Sequence, residues 1–166
     1  MNGLQIVFLV LVILLSAGWR LSWMATRLDR AHYRVERAWA ALDAALVRRA
    51  QRAAELACSP SLDPAAAVLL SDAAAAALEP ELAPGERERA ESDLSHVLAL
   101  VVPGRMCDEQ DRASLVRRLH NDAVRTARSL QQRRTVRVFR LAGRAGPPRT
   151  FEMADPRELG WPRGGA

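Results

Sequence analysis

Between Trp19 and Ala57 the chain contains no proline and no glycine, so nothing in that stretch stops a helix. Within it, Val35, Trp39, Leu42, Leu46, Ala50, Ala53 and Leu56 recur at steps of three and four, which places them on one stripe of a helix. Arg34, Arg37, Asp43, Arg48, Arg52 and Glu55 fall mostly off that stripe. A helix with one apolar stripe has to bury it against something. The segment Arg27–Ala57 is therefore the element around which the rest of the chain is expected to fold.

What precedes it reads as an anchor. Residues 1–19 carry no charged side chain, and Ile6 to Leu15 are all apolar. Nineteen helical residues rise about 28 Å, close to the roughly 30 Å thickness of a bilayer's hydrocarbon. Trp19 and Trp23 stand where an interfacial aromatic belt is expected. A cleavable signal peptide is the competing reading. It calls for positive charge before the apolar run, which is absent, and a small-x-small site after it, for which Ser16-Ala17-Gly18 is a poor match. Arg20, Arg27, Arg30 and Arg34 follow the run, so the positive-inside rule puts the N-terminus outside and the body in the cytoplasm. The absence of a breaker predicts a spanning helix continuous with the soluble one; a bend near Ser22 to Thr26 is the alternative.

The 166 residues leave about 115 for one soluble domain between the anchor and a tail. Aromatic content is 5% and alanine is abundant, which suits close-packed helices and argues against a β-sandwich. Every one of the 24 basic residues is arginine. Their distribution is uneven: residues 20–57 are net +4, residues 58–104 net −6, and residues 105–166 net +7. An acidic middle between basic flanks predicts complementarity between antiparallel helices. The basic residues are not interleaved with aromatics, which argues against a nucleic-acid footprint. Cys58 and Cys107 are far apart in sequence and make neither a disulfide framework nor a metal set.

The later segments supply partners for the first stripe. Asp63-Pro64 is a helix start, with Asp as cap and Pro at the first helical position. The alanine-rich run from Pro64 to Leu78, with Val68, Leu69 and Leu78 as its apolar relief, reads as a packed helix ended by Pro80. Pro84-Gly85 opens the next, where Glu86, Glu88, Glu91 and Asp93 favour the dipole's positive end. Leu94, Val97, Leu98 and Val101 give its stripe, and Pro103-Gly104 stops it. Glu88, Glu91 and His96 invite a metal reading on the pattern of di-iron bundles, but no Glu-x-x-His pair occurs, so a solvated acidic face is expected. Asp108 can cap a last helix through Gln131, with Val116, Leu119, Ala123, Ala127 and Leu130 buried. His120, Asn121 and Asp122 point in three directions and cannot form one site, although Asn121 is a candidate for a hydrogen bond inside the bundle. Val136 to Leu141 alternates, as a strand or a final helical turn. Nine of the 25 residues from Ala142 to Ala166 are Gly or Pro, which predicts a flexible tail, from which Phe151 and Trp161 can still dock on the bundle or on a partner.

Three blocks resemble the LemA family of bacterial single-pass membrane proteins. RVERAWAALDAALVRRAQRAAEL, Arg34 to Leu56, is similar to its signature helix, with Ala38-Trp39, Asp43 and the pair Arg48-Arg49 at the matching positions. LHNDAVRTARSL, Leu119 to Leu130, is similar to its aromatic-Asn-x-x-Val helix. VFRLAGRAGPPRTFEM, Val138 to Met153, resembles its closing segment with the Phe-Glu pair Phe151-Glu152. Two features depart from the family: His120 stands where Tyr is common, and the Pro-Asn segment after the basic pair is replaced by Ala53-Ala54-Glu55-Leu56. The resemblance marks the chain as a divergent member, implies a helical bundle, and carries no activity.

No phosphate-binding Gly loop, nucleophile elbow or zinc-protease motif occurs, and the three histidines, His32, His96 and His120, fall on three different helices. The expected fold class is all-α: an N-terminal transmembrane helix continuous with an antiparallel helical bundle of about four helices. The boundaries are an anchor at 1–24, a bundle at 25–141 and a Gly/Pro-rich flexible tail at 142–166. The expected function is a membrane-anchored interaction or scaffold module with no catalytic, metal or cofactor residues. Its partners are the bilayer, other membrane or cytoplasmic proteins and possible copies of itself. The alternative is a binder of anionic lipid or nucleic acid through Arg117, Arg118, Arg125, Arg128, Arg133, Arg134, Arg137 and Arg140.

Overall fold

The structure, a computed structural model, describes residues 3–80, 83–133, 136 and 146–154. Four helices follow in order: α1 Gly3–Ala57, α2 Pro64–Leu78, α3 Pro84–Val101 and α4 Cys107–Gln131. The described residues are all-α. The chain forms two compact units, Met1–Glu36 with Ala123–Arg149, and Arg37–Asp122 with Thr150–Ala166. Both α1 and α4 contribute to each.

The ends of the helices lie where local chemistry puts them. Asp63 caps α2, its carboxylate accepting from the backbone N–H of Ala65 (3.0 Å) and Ala66 (3.2 Å), with Pro64 in the first turn. Glu86 holds the start of α3 by accepting from the N–H of Ala83 at 3.2 Å. Past Val101 the chain turns at Gly104, whose φ of 79° lies in the left-handed region that a side chain disfavours.

In the first unit α1 and α4 run antiparallel. Leu28 and Ala31 pack with Ala127, Leu130 and Val136, flanked by Met24 and Val35. Nε2 of His32 meets Nε2 of Gln131 at 2.9 Å. Val136 is helical and buried; the remainder of the alternating stretch, 137–141, lies outside the described residues, as do Trp161 and most of the expected tail. Up to Arg20, every described residue of α1 is exposed, and its most apolar stretch is long and apolar enough to cross a membrane.

The second unit has two apolar clusters. In one, Ala50 and Ala53 of α1 meet Leu70, Ala74 and Ala77 of α2, Leu94, Leu98 and Val102, and Met106. In the other, Leu42 and Leu46 meet Ala113, Phe151 and Met153. Cross-helix pairs give the directions. Arg49 reaches Gln110 while Trp39 reaches His120, so α4 is antiparallel to α1. Asp43 pairs with Arg87 while Arg49 pairs with Glu91, so α3 is parallel to α1. Helices α3 and α4 thus run in opposite directions, as the short connection between them requires.

The buried faces add detail to the reading of the sequence and correct it at Leu119. On α2, Val68 and Leu69 are exposed and Leu70, Ala74 and Ala77 are buried. The inward face follows the small residues, because alanine lets backbones approach. On α4, Ala123, Ala127 and Leu130 are buried as expected, but Leu119 is 58% exposed and its neighbour His120 is buried at 3%, with Val124 also inside. In the region read as tail, Phe151 docks on the bundle, one of the outcomes the sequence left open, and Met153 is buried with it against α1 and α4 residues. Two large apolar side chains suffice to hold an extended segment when polar side chains satisfy its backbone.

Candidate functional site

Within the second unit, the residue that departs furthest from the sequence reading is Arg49. It lies three residues after Leu46 and four before Ala53, and so falls on the inward stripe with its side chain fully buried. Its Nη1 donates to Ser95 Oγ at 3.0 Å and to Gln110 Oε1 at 2.6 Å. Its Nη2 donates to the backbone oxygen of Glu91 at 2.9 Å and to Glu91 Oε2. One guanidinium thereby joins α1, α3 and α4. Burial pushes the Arg49 pKa below its ordinary value, and the charge and hydrogen bond of Glu91 act in the opposite direction.

Glu91 is correspondingly not part of a solvated acidic face. It is buried at 0%, and its second oxygen, Oε1, lies 3.7 Å from Arg87 Nε. Arg87 in turn donates to Asp43 Oδ1 at 2.8 Å, returning to α1. The acidic middle of the chain meets the basic first helix through this Asp43–Arg87–Glu91–Arg49 network. Of the three residues read for metal, Glu88 accepts from the backbone of Glu152 and His96 is exposed. No group of three or more potential metal ligands occurs among the described residues.

A second constellation fixes the segment 151–154. Asn121, buried as its place in the helix allowed, accepts from the N–H of Phe151 at 2.8 Å through Oδ1. It donates to the Phe151 carbonyl at 3.0 Å through Nδ2. On the α3 side, Glu88 Oε1 accepts from Glu152 N at 2.9 Å and Ser92 Oγ accepts from Ala154 N at 3.1 Å. The Phe151 ring sits 5.9 Å from that of Trp39, which is 5.5 Å from His120. Asn121 and His120 therefore serve one arrangement from adjacent positions, and Asp122 is exposed.

The arginines read as a basic binding surface divide. Arg117 lies 3.9 Å from Glu152, Arg118 donates to the carbonyl of Ser114, and Arg128 donates to that of Pro148 at 2.7 Å. Arg134, Arg137 and Arg140 lie outside the described residues.

In the first unit, α1 and α4 enclose an open cleft of about 490 Å³, lined by Trp23, Thr26, Arg27, Arg30, Ala31, Arg34, Thr126 and Leu130. Arg27 lies over the Trp23 ring, 5.5 Å from its centroid. Arginines at 27, 30 and 34 follow helical spacing, which brings all three to one side. The sequence reading used them only to orient the chain; their common spacing with Trp23 was the signal for a shared face.

Neither a family model, nor a curated protein, nor a solved structure matches the chain.

Proposed function

We propose that this protein is a membrane-anchored helical-bundle module that acts by holding partners rather than by catalysis. The observation that carries the reading is the contrast along α1. From Leu4 to Leu15 its large apolar side chains are all at least 42% exposed, whereas Leu42, Leu46, Ala50 and Ala53 are buried. So large an apolar surface is stable in hydrocarbon and not in water. The run from Ile6 to Leu15 favours insertion by roughly 3–6 kcal/mol. The arginines that follow it favour an N-out orientation with a cytoplasmic body.

The resemblance of three blocks to the LemA family supports the same reading, and Trp39, Asn121 and Phe151, which those blocks contain, meet in one cluster. Leu115 and Leu119, one turn apart on α4, are 54% and 58% exposed and offer an apolar contact to a second protein or a second copy. The test is carbonate extraction of membranes from expressing cells, with a photo-crosslinking residue placed at 115 or 119. Retention in the pellet and a discrete adduct are expected. Release into the supernatant overturns the anchor, and a strictly monomeric, adduct-free protein overturns the scaffold.

A further inference from the structure

The cleft between α1 and α4 in the first unit stands beside the apolar span, and we infer that it is a binding site for the headgroup of an anionic phospholipid. Three features carry this. The lining holds three arginines and, among the described residues, no carboxylate. Two threonines and the Trp23 indole are in the same wall, so hydroxyl and aromatic groups accompany the charge. The volume, about 490 Å³, is in the range of small-molecule sites, roughly 300–1,000 Å³.

Position selects lipid over other anions. The uncharged run ends at Trp19, and Trp19 and Trp23 mark the interfacial belt. Arg27 lies about 6 Å beyond Trp23 along the helix and Arg30 about 10 Å. Headgroups occupy roughly the first 5–8 Å outside the hydrocarbon. Arg27 reaches headgroup level with its guanidinium over the Trp23 ring, Arg30 stands above it with a side chain long enough to reach down, and Arg34 lines the far end of the cleft. Guanidinium groups bind phosphate oxygens in a bidentate fork, which a single phosphodiester can satisfy from two sides. Basic recesses beside spanning helices are suited to such lipids. The site rests on the membrane reading above.

The test uses the full-length protein in mild detergent. Retention of phosphatidylglycerol is compared with phosphatidylcholine by native mass spectrometry, with inorganic phosphate as competitor. The variant Arg27→Gln/Arg30→Gln/Arg34→Gln alters exposed side chains only. Arg48→Gln/Arg52→Gln/Arg112→Gln removes the same charge from exposed positions of the other unit. The wild type and the second variant are expected to prefer phosphatidylglycerol by about tenfold or more, and the first variant to lose that preference. Equal loss in both variants, an unchanged first variant, or complete displacement by millimolar inorganic phosphate each overturns the site. Failure of the anchor itself is seen separately, as carbonate release of the wild type. A protein that stays in the pellet but shows no lipid preference overturns the headgroup site alone.

Discussion

The buried Arg49–Glu91 pair makes a sharp energetic prediction. Arg49 donates four hydrogen bonds, to Ser95, Gln110 and two oxygens of Glu91, and no water competes for a fully buried guanidinium. Glu91→Met leaves a buried cation without its counter-charge, since a guanidinium does not give up its proton at ordinary pH. Arg49→Met leaves the Glu91 carboxylate with Arg87 at 3.7 Å as its nearest cation. Breaking a buried pair by removing one partner costs about 3–5 kcal/mol. For a chain of this length that is about 6–20 °C in Tm. Arg49→Met/Glu91→Met removes both charges and leaves mainly the Gln110 amide without its partner, at about 1–3 kcal/mol. The two single losses should therefore not add, and the cycle should give a coupling of about 3 kcal/mol or more. Thermal unfolding of the full-length protein in mild detergent, followed at 222 nm, measures all four species. Single variants within about 2 °C of wild type, or an additive double variant, would refute the claim that this pair ties three helices together.

Three further outcomes follow from the geometry. Asn121→Ala removes both hydrogen bonds to Phe151 and should raise hydrogen exchange over residues 151–154, at a cost of about 1–3 kcal/mol; unchanged protection there would contradict the strap. Leu70→Ala should cost about 2–5 kcal/mol and Val68→Ala under about 0.5, because the first side chain is buried and the second is 62% exposed; equal losses would contradict this inward face of α2. Asp63→Ala should cost about 0.5–2 kcal/mol by releasing the N–H groups of Ala65 and Ala66, and Asp63→Asn should recover most of it in the same melting assay.

How much of this was legible in the sequence differs by feature. The helices α2 and α3 begin and end where Asp63-Pro64, Pro84, Pro80 and Pro103-Gly104 place them, because caps and breakers act within a few residues. The stripe Leu42, Leu46, Ala50, Ala53 was equally readable. The Arg49–Glu91 pair was not, although its position was available. Arg49 lies in register with Leu46 and Ala53, and Glu91 in register with Leu94 and Leu98. Charge alone argues for solvent at each; only the two in-register, opposite charges taken together argue for burial. The inward face of α2 was unreadable for a different reason: with alanine on every side of the helix, apolar spacing marks no stripe, and only the packing shows Leu70, Ala74 and Ala77 inside with Val68 and Leu69 outside. The docking of Phe151 depends on partners contributed by Trp39, Asn121 and Glu88, a long-range coincidence that local composition cannot show.

That docking also sets a timetable. As the ribosome extrudes the chain, Leu42 and Leu46 emerge early, the α4 wall of their hollow with Ala113 comes after α2 and α3, and the ring that fills it comes last. Until then Asn121 has no peptide to clasp, and the nascent body has one seam open to chaperones or to rival strands. A protein whose plug arrives late is sensitive to a stalled or truncated message in a way that its early helices, taken alone, would never disclose.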